Sequence, residues 1–181
     1  MADARGFPSN SHRINSVAEQ LQHTAPPKIL FMELRHGHAH HRIYHHLVWS
    51  TKNREPMITP IVELILHSFL MDKASDLGAE ILAVNGMEDH IHLLVRLAPK
   101  QSPAKFVKDL KGSSSHLLNH AIDGHRINSV AAFQWQPGYS AFSVSEKDLP
   151  TVRAYIRNQK RHHRGKRLVE NWELRPLQPP N

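Results

Sequence analysis

Two short signals, Thr59-Pro60 and Ser102-Pro103, constrain the fold of this chain more than any other feature. Each joins an N-capping hydroxyl to a proline at the first helical position. After the first, Ile61, Leu64 and Ile65 recur at helical spacing, which predicts a helix to about Asp76, closed by Leu77-Gly78. After the second, Phe106, Val107, Leu110 and Leu117 form an apolar stripe, with Gly112 and three serines weakening the middle. Around these helices lie β-branched and aromatic runs at 43–51, 80–84, 90–97 and 131–143, the last broken by Pro137-Gly138. Asn85-Gly86 is a turn signal that makes a hairpin of the second and third strands. Residues 145–148 and Pro150 open a third helix ending near His163. The order is β-α-β-β-α-β, then α. It predicts an α+β, ferredoxin-like (split β-α-β) antiparallel sheet with both crossover helices on one face. The other face is left free for a site, and a C-terminal helix is added.

The third strand reads Asp89-His90-Ile91-His92-Leu93-Leu94-Val95. Strand side chains alternate, so His90, His92 and Leu94 share one face and Ile91, Leu93 and Val95 the other. Two imidazoles side by side can serve one metal ion, and a strand can equally carry two histidines with no catalytic role. Further ligands would have to come from a distant side chain, because strand geometry turns Asp89 away from the histidine face. On the third helix Val152, Tyr155, Ile156 and Gln159 follow i, i+3, i+4, i+7 and form one stripe. Tyr155 and Gln159 therefore project from one face. Spacing alone also fits a core tyrosine beside a surface amide.

The chain carries 23 Lys and Arg against 16 Asp and Glu, a formal charge of +7, and 16 histidines. That balance favours a polyanion, most often nucleic acid. Arg153, Arg157, Lys160 and Arg161 flank the stripe, and Lys105, Lys108 and Lys111 line the second helix. Both sets are candidates for DNA binding. Trp49, Phe133, Trp135 and Tyr139 offer either stacking surfaces for unpaired bases or core. The absence of cysteine excludes disulfides and thiolate chemistry. With no apolar run long enough for a bilayer and no apolar secretory segment in 1–13, the expected compartment is the cytoplasm.

Residues 1–41 read as a polar, poorly ordered arm ending in a histidine-rich run, and 165–181 as an extended tail containing Pro176, Pro179 and Pro180. The heptapeptide HRINSVA occurs at both 12–18 and 125–131. It does not recur at a solenoid period, and we have no physical account of it.

Four stretches in this order resemble the single-tyrosine HUH transposases, the family of small insertion-sequence and REP-associated tyrosine transposases. They are YHHLVWSTKNREP at 44–56, EDHIHLLV at 88–95, WQPGYSAFSVS at 135–145 and VRAYIRNQKRHHR at 152–164. The resemblance marks 42–164 as the catalytic domain. It implies a strand transferase acting on single-stranded DNA beside a hairpin, with Mg2+ or Mn2+ as cofactor. It implies that His90 and His92 bind the metal, that Gln159 is a third ligand, and that Tyr155 is the nucleophile. Lys52 and Arg54, in the first stretch, join the DNA-binding candidates. Members act as homodimers or as monomers, and the tyrosine helix acts in cis or in trans. Two other readings remain: a domesticated hairpin-binding protein that does not cut, and a metal hydrolase using His90 and His92 with water.

Overall fold

A computed structural model describes residues 41–124, 132–165 and 172. The expected arm through residue 40, both copies of HRINSVA, and the tail apart from Gly165 and Trp172 lie outside the described residues.

The elements are β1 (Tyr44–Ser50), α1 (Pro60–Asp76), β2 (Glu80–Met87), β3 (His90–Arg96), α2 (Pro103–Asp123), β4 (Ser140–Val144), α3 (Leu149–Arg157) and α4 (Gln159–Arg164). Both expected helix starts form as the sequence dictates. The Thr59 hydroxyl accepts from the Val62 amide and that of Ser102 from the Lys105 amide. Leu77 ends α1, and Gly78 then takes a φ of 73°, which costs glycine little. The strands form one antiparallel sheet in the order β2-β3-β1-β4. This is the sheet of a split β-α-β fold.

One face of the sheet carries Leu47, Trp49, Ile91, Leu93 and Val95. It packs on Val62, Leu66 and Leu70 of α1 and Phe106, Val107, Leu110 and Leu118 of α2. In α2 the buried position is Leu118 rather than Leu117, and the serines do not break the helix. Buried Ser114 accepts a hydrogen bond from Trp135 Nε1 at 3.0 Å. Trp49, Phe133 and Trp135 stack edge to face, so these three are core; Tyr139 stays exposed. Of the expected 131–143 strand, only β4 and an isolated bridge between Trp135 and Thr51 form.

The second face, free of the crossover helices, receives the added helix. Val152, Tyr155 and Ile156 of α3 pack on Leu94 and Ala83. Burying Val152 and Ile156 contributes about 1.5–3 kcal/mol each, enough to hold a short helix on the sheet. β3 is consequently buried on both faces.

Two further expectations change. The β2–β3 turn lies at Glu88-Asp89, and Asn85-Gly86 sits inside β2, where Gly86 pairs with Ile91. The tyrosine helix is not continuous. At Asn158 (φ −99°, ψ 16°) the backbone leaves α geometry and the side chain bonds back to the Ala154 carbonyl, dividing α3 from α4.

Candidate active site

The site lies where α3 and α4 cover the sheet. Antiparallel register sets Val48 opposite His92, Ser50 opposite His90 and His46 opposite Leu94. His46 is therefore the diagonal neighbour of His92 on the same face, within reach of a long side chain. His46, His90, His92 and Gln159 are at most 1% exposed and Tyr155 is 5% exposed. Buried polar groups cost stability unless they are bonded, so a sheet face needing only a core would carry aliphatic residues here.

Tyr155 meets His92 edge to face, ring centroids 6.2 Å apart, and His163 on α4 lies 4.9 Å from His90. Gln159 lies four residues after Tyr155, across the break at Asn158, and four before His163. It is the buried residue of α4. Its amide oxygen and nitrogen have no hydrogen-bond partner among the described residues. Asn85 Nδ2 donates to the Arg157 carbonyl at 2.9 Å and ties β2 to this junction. Tyrosine and histidines meet within one chain.

Asp89 behaves differently from expectation. It sits in the turn rather than in strand alternation, and its Oδ1 lies 2.6 Å from His90 Nδ1. Its other oxygen accepts from Arg54 Nε at 2.8 Å. Arg54 reaches it from a turn in which Asn53 and Arg54 both have positive φ, 52° and 58°. That left-handed conformation is costly for a bulky side chain. Burial pushes the Asp89 carboxyl upward. The hydrogen bond and charge of His90, then Arg54, outweigh it and leave the carboxyl below its ordinary range. An ionised carboxylate only accepts, so His90 Nδ1 donates to it.

His46 is the residue that sequence reasoning missed. Its Nε2 is 2.9 Å from His92 Nδ1, with ring centroids 5.1 Å apart. The signal was available: His46 is two residues before Val48 on a strand whose alternation puts both on the histidine face. Trp172 was missed too; its ring lies 5.0 Å from Tyr155 and 6.4 Å from His46.

The basic candidates divide. Arg54 is engaged by Asp89, Lys160 by Glu63 at 2.5 Å and Lys105 by Asp109 at 2.7 Å. Lys111 donates to the carbonyls of Gln136 and Gly138, and burial lowers its pKa. Because α2 packs on the opposite face, Lys105, Lys108 and Lys111 do not flank Tyr155. Lys52 and Arg153 are partly buried, whereas Arg157 and Arg161 are exposed. Arg161, Thr151, Asn158, His162 and Trp172 line an open groove beside Tyr155.

Among the described residues, no group of three or more His, Cys, Asp and Glu could hold a metal ion. Besides the imidazoles of His90 and His92, the site buries the Gln159 amide, whose oxygen is a donor with no hydrogen-bond partner among the described residues. Two imidazoles and a carboxamide oxygen fit a divalent cation. None of the described helices is long and apolar enough to cross a membrane.

A family model for IS200-like transposases matches residues 39–159. The ISDra2 transposase TnpA of Deinococcus radiodurans is 31% identical over 132 residues, 72% of this chain and 94% of that protein. The transposase of insertion sequence element IS200 from Salmonella typhimurium is 26% identical over 123 residues, 68% of this chain and 80% of that protein. The crystal structure of a D. radiodurans R1 protein assigned as a transposase superposes with a TM-score of 0.54. It is 31% identical and covers 68% of this chain and 95% of its own. A REP-associated tyrosine transposase bound to a REP hairpin shares the fold at a TM-score of 0.51 and 14% identity, covering 73% of this chain and 75% of its own.

Proposed function

The chain belongs to the family of IS200-like transposases, and from that premise we propose that it is a DNA strand transferase whose nucleophile is Tyr155. The observation that carries this reading is the nearly buried Tyr155 ring set against His92, the strand neighbour of His90, under the helix pair that also buries the Gln159 amide. A structural role alone gives no reason to bury so many polar side chains under one short helix.

In the proposed reaction Tyr155 Oη attacks the phosphorus of a DNA phosphodiester. The phenolic proton is lost, the bond to the 3′ oxygen breaks, and that oxygen leaves as a 3′ hydroxyl after taking a proton. The 5′ side remains as a phosphotyrosine. Phenol ionises near pKa 10, so phenolate leaves far more readily than an alkoxide. A DNA 3′ hydroxyl can therefore reverse the step without a nucleotide triphosphate. His90, His92 and Gln159 would hold a divalent ion, Mg2+ or Mn2+, which when bound polarises a phosphate oxygen and offsets developing charge. Two imidazoles suit manganese better than magnesium. The basic groove beside Tyr155 suits a single strand. The REP hairpin bound by the structural relative supports placing that strand next to a hairpin.

The test is covalent transfer of labelled single-stranded hairpin oligonucleotides onto the protein in manganese, read on a denaturing gel. The wild type forms an adduct and Tyr155→Phe forms none. An equal adduct from Tyr155→Phe overturns the reading. Binding without any adduct across varied hairpins favours a non-cutting hairpin-binding protein, and DNA hydrolysis insensitive to Tyr155→Phe favours water as nucleophile.

A further inference from the structure

We infer that His46 is a positioning residue that fixes the tautomer of His92 and so selects the nitrogen His92 presents to its ligand. This rests on the proposed role of His92 as a metal-binding residue, and it names the device that prepares it.

Two imidazoles 2.9 Å apart, Nε2 to Nδ1, share one hydrogen bond when both are neutral, with one ring donating and the other accepting. If His46 donates, His92 accepts at Nδ1 and carries its own proton on Nε2. That nitrogen is then closed to a cation. If His92 donates, its lone pair is on Nε2. The neighbouring histidine decides between them. His90 donates its Nδ1 proton to the Asp89 carboxylate at 2.6 Å, so in the neutral ring the lone pair is on Nε2. One strand thus carries two histidines, each with a partner at Nδ1. Both present the same nitrogen only when His92 is the donor and His46 the acceptor. Outer partners of this kind commonly orient metal-binding histidines.

His46 is built to hold that geometry. It is 1% exposed and lies edge to edge with His92, with 22° between the ring planes. Phe142 on β4, opposite it in register, lies 5.7 Å away. Tyr155 and Trp172 meet its ring edge-on at 6.5 and 6.4 Å. Four aromatic neighbours leave the ring little freedom to turn. The two partners also differ in charge: a carboxylate held by Arg54 serves His90, and an imidazole serves His92.

The test uses the full-length, metal-free, 15N-labelled protein above pH 8, with tautomers read from long-range 1H–15N correlations of the histidine rings. In the wild type His92 is expected to be protonated at Nδ1 and bare at Nε2. In His46→Phe, which keeps an aromatic ring and removes the nitrogen partner, His92 shifts toward the Nε2-protonated form. Manganese affinity, read from the EPR signal of the free ion without DNA, falls about 10–100-fold. His46→Gln offers an amide oxygen as acceptor and restores part of both. A wild-type His92 protonated at Nε2 overturns the inference, and this reading needs no variant to fold. So does a folded His46→Phe with unchanged tautomer and manganese affinity. These readouts do not involve Tyr155, so failure of the adduct assay and failure of this inference are separate results.

Discussion

His67 and His45 show how burial separates residues that composition treats alike. Burial lowers the pKa of His67, with Glu63 working against that shift and Lys160 adding to it; burial alone lowers that of His45. The unfolded chain takes up these protons near pH 6.5, and the folded chain only at lower pH. Between those points the unfolded state binds more protons, so stability rises with pH. The contribution is fully present above about pH 6.5 and is lost as pH falls through the folded pKa values. Thermal unfolding should give a lower Tm at pH 5.5 than at pH 8. His67→Gln should show a smaller drop, with the remainder reflecting His45 and other groups. An undiminished drop in His67→Gln would show that its protonation is not coupled to folding. Of the 16 histidines in the sequence, seven of those described are wholly or partly buried, His45, His46, His67, His90, His92, His162 and His163, because a histidine's environment depends on partners remote in sequence.

The β2–β3 hairpin carries His90 and His92, and Gly86 sets how closely its strands approach. A Cβ built on Gly86 would lie 2.1 Å from the His90 carbonyl oxygen and 2.9 Å from Ile91 Cα. Both are backbone atoms, so no rotamer relieves the clash. Gly86→Ala should lower stability by about 1–3 kcal/mol, measured by urea denaturation, and displace His90. Gly112→Ala is the control of opposite sign. A Cβ there meets nothing within 4 Å on a continuous helix, and about 0.5–1 kcal/mol should be gained. Loss of stability in both, or in neither, would contradict this packing. The same glycine explains where sequence reading went astray. Asn-Gly is a turn signal because glycine tolerates positive φ, but here the glycine makes room for a neighbouring strand. Helix starts were legible because a cap and a proline act within a few residues. The break at Asn158 was not, because the side-chain bond that accompanies it is invisible to periodicity.

Across the whole molecule, charge and chemistry lie in different layers than the sequence implied. Alternation put His90 with His92 and helical spacing put Tyr155 with Gln159, but only the resemblance joined the two pairs. Which cations stay exposed beside Tyr155 was not legible. Whether a lysine is engaged depends on partners such as Glu63, 97 residues from Lys160, and on which face of the sheet a helix covers. The structure leaves Arg157 and Arg161 exposed on the tyrosine-bearing side, with Arg161 lining the groove. Lys105 and Lys111 sit on α2 across the sheet. If single-stranded DNA runs along the groove, binding should weaken with salt in proportion to the phosphates neutralised. Removing one cation that neutralises a phosphate should flatten the slope of log K against log salt by about 0.7. Arg161→Ala and Arg157→Ala, titrated with a labelled oligonucleotide from low to moderate salt, should each show that flattening. Lys105→Ala should leave the slope unchanged. Lys111→Ala should leave it unchanged while lowering Tm, because its ammonium holds the carbonyls of Gln136 and Gly138. A flatter slope from the α2 variants with none from Arg161→Ala would move the DNA path to the opposite face of the sheet. That path would separate it from Tyr155 and count against the proposed chemistry as well.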